Sequence, residues 1–323
     1  MGIGIALPAG PDGIAAAANV VDTMIDEARQ AAAAGLDEVW FAQRLDVDAI
    51  AVAGLVGREV PGIRVGTSVV PIYPRHPIVL AGQAQTAQAA TGGRFTLGVG
   101  LSAAPMVTGV FGAPYDRPIR HLRDYLTALA SLFADGTADV HGPTLTADTG
   151  KGWSSARVPG AEPSVPVVVA AMGPQALRAT GELADGTLPY LAGPKTIADH
   201  ILPIVSEAAE AAGRPAPRII AAFPGVVTAD PTSTRVRAEQ ALAFYGTIPS
   251  YRAVLDREGV EHAVELAAIG DEDTLAEHVE AYFAAGATDV VVTNTGLGTP
   301  QDRLRTWELL GRLARARGVS VRG

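Results

Sequence analysis

Two segments repeat one chemical signature. Ala170-Ala171-Met172-Gly173-Pro174-Gln175 and Tyr190-Leu191-Ala192-Gly193-Pro194-Lys195-Thr196 each place Gly-Pro where an apolar run gives way to a helical pattern. Gly permits a tight turn there, and Pro suits the first helical position, where its missing N–H costs nothing. Free backbone N–H groups and the positive end of the helix dipole then favour an anion such as phosphate, and Lys195 adds a point charge. Gly-Pro is also ordinary helix punctuation; two copies, one followed by Lys, are what raise the chemical reading. A third segment, Gly66-Thr67-Ser68-Val69-Val70-Pro71-Ile72-Tyr73-Pro74-Arg75-His76-Pro77, carries small residues that let a flat ring approach the backbone. A fourth, Phe95-Thr96-Leu97-Gly98-Val99-Gly100-Leu101-Ser102-Ala103, matches a dinucleotide fingerprint by letter. Pro105 and the lack of a well-placed acidic residue beyond it favour a glycine-lined wall for a planar cofactor instead.

Other chemistries find less support. His121, His141, His200, His262 and His278 are scattered, with no H-E-x-x-H pattern, so no metal site is expected. There is no G-x-S-x-G, and Ser102 has no evident base partner. Gln43-Arg44 follows the apolar Val39-Trp40-Phe41 and sits where side chains reach a pocket. His76 stands just before Pro77, where capping a helix competes with a catalytic role.

These residues must be held by regular elements, and a recurring join shows which. A helical pattern ends, Gly follows, and an apolar strand begins at Gly35, at Gly92-Gly93, at Gly186 and at Gly286. Strands buried on both faces read as continuous apolar runs, and these do. Eight strands are expected at roughly 2–8, 38–43, 63–71, 94–100, 166–172, 186–192, 218–228 and 289–294. Helices fall between them at roughly 14–34, 47–59, 77–90, 117–134, 174–184, 195–212, 232–258 with 271–285, and 300–317. Eight β/α units in one chain point to a single (β/α)8 TIM barrel domain over 1–323, with insertions after strands 4 and 7; a doubly wound sheet is the competing fold. In such a barrel the active site lies at the carboxyl ends of the strands, where all the motifs above fall.

Composition narrows the partners. The 323 residues include no cysteine, which removes disulfides and zinc–cysteine sites, and 25 basic against 34 acidic residues give a net charge of −9 with no basic block. Nucleic acid and anionic membrane surfaces are therefore not expected as main partners. Hydrophobic residues make up 48% and charged residues 18%, a core-rich composition. No apolar stretch approaches the ~20 residues of a spanning helix, and the start has no signal-peptide pattern, so a cytoplasmic location is expected.

Taken together, the motifs resemble the luciferase-like monooxygenase superfamily, and within it the branch that uses the deazaflavin coenzyme F420. Three segments carry the resemblance: Val65–Pro71 with Arg75-His76-Pro77; Ala89–Gly100; and Met172–Leu177 with Gly181–Gly186. It implies a barrel in which the cofactor ring lies across the strand ends, backed by a non-prolyl cis peptide at Ser68–Val69 and by Gly98, Gly100 and Leu101. It places the cofactor phosphate near Gly173, Pro174 and Gln175, with Gly193, Pro194, Lys195 and Thr196 close by. Many members carry an acidic residue followed by His at the end of the second strand. This chain has Gln43-Arg44, and an amide cannot serve as a general acid near neutral pH. Gln43 and His76 are the catalytic candidates, with Tyr73 and Tyr115 as other proton sources. The expected function is hydride transfer between F420 and an organic substrate, apolar by the aromatics Phe111, Tyr115, Trp153, Phe244, Tyr245 and Tyr251. An FMN-dependent monooxygenase and a non-catalytic cofactor-binding protein are the alternatives. A homodimer is expected by the same resemblance.

Overall fold

The computed structural model describes residues 2–8, 18–150 and 155–318. Eight parallel staves close into a ring. They are β1 (Gly2–Leu7), β2 (Glu38–Phe41), β3 with β4 (Arg64–Thr67 and Val70–Pro71), β5 (Phe95–Gly100), β8 (Val167–Val169), β9 (Gly186–Thr187), β10 (Arg218–Val227) and β12 (Asp289–Thr293). The ring closes because β10 pairs both β9, Arg218 opposite Gly186, and β12, Ile220 opposite Asp289. This is the (β/α)8 barrel that the alternating pattern predicts; the doubly wound sheet is overturned by that closure.

Strong end signals shape the outer helices. Asn19 accepts from the Val21 amide to start α1 (Val20–Ala34), and Gly35 ends it in the left-handed region at φ 96°. Asp48 caps α2 (Ala49–Glu59) through the amides of Ile50 and Ala51, so this carboxylate serves the helix. Gly286 repeats the left-handed stop, at φ 99°, after α9 (Glu272–Ala284). Gly186 does not: it lies within β9, where a Cβ would fall 2.3 Å from the Arg218 carbonyl oxygen, so close strand approach is its reason.

Trp40 fills the bore. Its ring is wholly buried among Val168, Leu188, Ile220, Ala222 and Val291, and a Cβ on Gly66 would meet it at 2.5 Å. The bore is thus a packed core, not a channel.

Several expected elements differ in detail. The third strand is interrupted between β3 and β4, and the fifth and sixth are shorter than their apolar runs. The long predicted helix over 232–258 is two helices, α7 (Pro231–Leu242) and α8 (Pro249–Glu258), split by a 3-10 turn at Ala243–Thr247 ahead of Pro249. The interval after α4 (Pro118–Asp135) forms an antiparallel hairpin, β6 (Asp139–His141) and β7 (Thr146–Asp148). Its return path is tied to α3 (Pro77–Ala90) by two buried amides: Gln85 donates to the Ala156 carbonyl at 2.9 Å, and Gln88 to that of Pro163 at 2.7 Å. The start of the predicted first helix, 14–17, and Trp153 lie outside the described residues. No helix among those described is long and apolar enough to cross a membrane.

Candidate active site at the barrel mouth

At the mouth, β3 and β4 are joined by Ser68–Val69, and the peptide between these two residues is cis. The stave is held on both sides. Ser68 N–H donates to the Phe41 carbonyl at 2.8 Å, and Ile72 N–H to that of Gly100 at 3.0 Å. Thr67, fully buried, donates its hydroxyl to the Gly98 carbonyl and accepts from the Gly98 amide, each at 2.9 Å. Gly98 has no room for a side chain, since a Cβ would fall 1.8 Å from the Thr67 carbonyl oxygen. At Gly100 it would meet Val69 Cγ2 at 2.8 Å. The wall is thus backbone and the Val69 isopropyl group, with Leu101 partly buried at its end.

The two Gly-Pro turns follow β8 and β9, and their surroundings differ. Gly173 precedes α5 (Pro174–Leu183) with no side-chain cap, and among the described residues nothing lies within 4 Å of where its Cβ would project. Pro174 and Gln175 are exposed beside it. The second turn opens a helix, α6, running from Pro194–Thr196 through a π-helical stretch at Ile197–Ile201 into Leu202–Ala211. Its leading amides are taken. Glu258 Oε1 accepts from Lys195 N–H at 3.1 Å and Oε2 from Thr196 N–H at 2.7 Å. The amides that sequence reasoning leaves free for an anion at Gly193–Thr196 already hold the chain's own carboxylate.

Gln43 and His76 are likewise engaged. The Gln43 amide donates to the carbonyls of Arg44 and Val47 at 2.6 and 3.0 Å. Its oxygen accepts from Ala49 N–H at 3.1 Å and Arg75 Nη2 at 3.0 Å. This uses both donors and both lone pairs, so Gln43 fastens the loop before α2 and has nothing left for a ligand in this arrangement. Arg44 pairs with Asp46 of the same exposed loop, at 2.9 Å. His76 Nδ1 accepts from Ile78 N–H at 3.3 Å and caps α3, while Nε2 donates to the Thr146 carbonyl at 2.8 Å. A carbonyl can only accept, which fixes the proton on Nε2. The imidazole therefore ties the hairpin to the helix, and the capping alternative describes it.

A different polar group stands nearby. Tyr73, two residues past β4, stacks on His121 with centroids 4.4 Å apart and planes 17° from parallel, and lies 5.2 Å from Tyr115. Tyr115 donates to the carbonyl of Ser102, just beyond β5, at 3.2 Å. The Tyr73 hydroxyl and His121 Nε2 are buried with no hydrogen-bond partner among the described residues. Burial pushes the Tyr73 phenol up to about 12, helped by Tyr115 and Asp116, and burial also lowers His121 despite the opposing charge of Asp124. Burial thus favours the neutral form of both. Across the mouth, Tyr190 donates to Asn294 Oδ1 at 3.2 Å and is met edge-on by Tyr245 at 5.1 Å and Tyr251 at 6.3 Å. Phe244 beside them is 67% exposed.

With this geometry described, known proteins give its context. The profile of the luciferase-like monooxygenase family matches residues 1–311. The chain belongs to that family. Among relatives, it is 29% identical over 170 residues to a protein of Mycobacterium tuberculosis named as a coenzyme F420-dependent oxidoreductase, covering 50% of this chain and 49% of that one, about half its length. It is 24% identical over 295 residues to the 5,10-methylenetetrahydromethanopterin reductase of Methanopyrus kandleri, covering 77% and 81%. The structure of the coenzyme F420-dependent tetrahydromethanopterin reductase from the same organism superposes with a TM-score of 0.78 at 22% identity, over 98% and 99% of the two chains. An FMN complex of the oxygenating constituent of 3,6-diketocamphane monooxygenase from Pseudomonas putida superposes at 0.77 with 16% identity, over 98% of each. Both superpositions speak to the fold, which luciferase-like members share.

Sequence reasoning missed Glu258, and no local signal marks it. It lies 63 residues from Lys195 and 62 from Thr196, at the end of an insertion helix with ordinary composition. The Tyr73–His121 stack was half visible: Tyr73 stands beside the strand end, but only the fold brings α4 against it.

Proposed function

We propose that this protein is a coenzyme F420-dependent oxidoreductase that exchanges a hydride with a small, predominantly apolar organic substrate. The observation that carries the reading is the pairing of a wall made of backbone and the Val69 isopropyl group, packed against Gly98 and Gly100, with an open helix N-terminus at Gly173–Gln175. A flat ring fits the first and an anionic arm fits the second. The relatives named for F420 support the same choice. When bound, the deazaflavin supplies a two-electron carrier whose hydride passes from one ring face.

The chain's own residues do the remaining work. Ser68, Val69, Gly98, Gly100 and Leu101 would back the ring, with the substrate on the other side. Pro174 presents the α5 amides of Gln175 and Ala176 to the phosphate. Trp40 below stops the ligand from sinking into the bore and excludes water from beneath. The substrate side is bounded by Tyr73 and Tyr115, with Tyr190, Tyr245 and Tyr251 opposite, which suits an apolar body. In place of Gln43 and His76, the Tyr73 hydroxyl, with His121 beside it, is assigned to meet the substrate's polar atom once the Tyr73 ring turns out of the burial it has here. A neutral phenol and a neutral imidazole make a donor and acceptor pair that water does not screen.

Titration of the purified protein with oxidised and reduced F420 tests the reading, following deazaflavin absorbance and fluorescence, with FMN as competitor. Saturable F420 binding that FMN displaces poorly is the expected result. Tight FMN binding without F420 binding favours a flavin-dependent monooxygenase instead.

A further inference from the structure

The two Gly-Pro turns sit on neighbouring strands, and His200 of α6 stitches them by donating Nε2–H to the Met172 carbonyl at 3.0 Å. Both offer an anion the same chemistry, yet only one is open. In the second, the Glu258 carboxylate spans two successive amides as a phosphate would. Gly193 is shaped to admit it, since a Cβ there would fall 2.2 Å from Glu258 Cδ. Thr196 is 1% exposed, and its hydroxyl has no hydrogen-bond partner among the described residues. Glu258 is the last residue of α8 and is held by the left-handed stop at Gly259, φ 87°. Two of its neighbours on the insertion side, Val254 and Leu255, are buried, so the carboxylate is carried on an anchored helix.

We propose that Glu258 is a specificity-determining residue that closes the α6 turn to anions and thereby assigns the cofactor's anionic arm to the α5 turn alone. The inference rests on the reading that the mouth takes such an arm. A free anion at α6 must displace a tethered carboxylate from both amides and accept its repulsion when it does. At α5 no side chain among the described residues caps the turn. The sequence signature is the same at both places, and the difference comes entirely from the β10–α9 insertion.

Amide-resolved NMR with inorganic phosphate as the probe tests this on the full chain. In the native protein, the Gln175 and Ala176 amides are expected to shift saturably, while Lys195 and Thr196 stay silent. In Glu258→Ala, Lys195 and Thr196 are expected to join, with phosphate affinity at that turn at least about tenfold tighter than the limit their silence sets for the native protein. If the alanine variant does not fold, Glu258→Gln keeps the size of the side chain and is expected to give a smaller response of the same sign. Lys195 and Thr196 responding in the native protein at the same phosphate concentration as Gln175 overturns the proposal, as does their silence in folded variants. Deazaflavin binding, measured separately by fluorescence, distinguishes that failure from failure of the functional reading: cofactor binding that persists leaves the function standing and removes only the role of Glu258.

Discussion

At the floor of the barrel, charges are answered from within the barrel; at the mouth, backbone groups and neutral rings are left to meet something else. Glu38, at the start of β2, lies 3.6 Å from both Arg64 Nη2 and Arg218 Nη2. Arg218 also reaches Asp289 at 3.2 Å, and Arg64 reaches Asp37 at 3.2 Å. Burial pushes the Glu38 carboxyl up while the two guanidiniums pull it down. At the other end of the barrel stand Gly98, Gly100, the cap-free Gly173, and the Tyr73 hydroxyl and His121 Nε2, which have no hydrogen-bond partner among the described residues. The two ends differ in kind. Where strands begin, buried charges face opposite charges, although Glu38 Oε2 and Arg218 Nη2 make no hydrogen bond among the described residues. Where strands end, neutral groups lack partners at the face where barrels of this type carry their active sites. Within the mouth the contrast recurs on a smaller scale, because Glu258 gives the α6 turn the closed character of the floor.

The comparison breaks most visibly at the floor. Glu38→Ala leaves Arg64 and Arg218 facing each other around a lost carboxylate, and a destabilisation of about 3 kcal/mol is expected in urea unfolding. Deazaflavin affinity of the folded fraction should hardly change. At the mouth, Gly98→Ala forces a Cβ into the Thr67 carbonyl, and the cost is expected at about 1–3 kcal/mol. Here the larger loss should be in cofactor affinity, read by fluorescence titration, since the wall itself moves.

pH sharpens the same contrast. Burial lowers His121, His200 and His278 below the ordinary imidazole value of 6.5, with Arg257 also lowering His200. The unfolded chain then binds more protons than the folded one as pH falls through that value, so stability should decline between pH 7 and pH 5. Thermal melts across this range check it, and His278→Gln should flatten the slope. Smallest is His76→Ala. Losing this cap is expected to cost about 1 kcal/mol and to leave cofactor affinity unchanged. A collapse of cofactor affinity in that variant would restore His76 to the site.

The barrel was legible because its punctuation is local. Gly35 and Gly286 end helices within a residue or two of the strand they feed, and Pro77, Pro174 and Pro300 start helices by their own ring geometry. The strand ends, and so the neighbourhood of the site, followed directly. Side-chain roles did not follow, because they depend on partners far along the chain. Gln43 is spent on Arg75, 32 residues away, and His76 on Thr146, 70 away. Asp48, by contrast, caps α2 through amides only two and three residues on. The β6–β7 hairpin was missed because its strands are three residues each and half exposed, too short for any periodicity to register.

A crystal structure of the protein with F420 tests the central claim most directly. The expected result is the ring lying against Gly98, Gly100 and the Ser68–Val69 segment, with its phosphate on the Gln175 and Ala176 amides and Glu258 still seated on Lys195 and Thr196. A ring bound away from the glycine wall, or a phosphate lying far from α5, would contradict it.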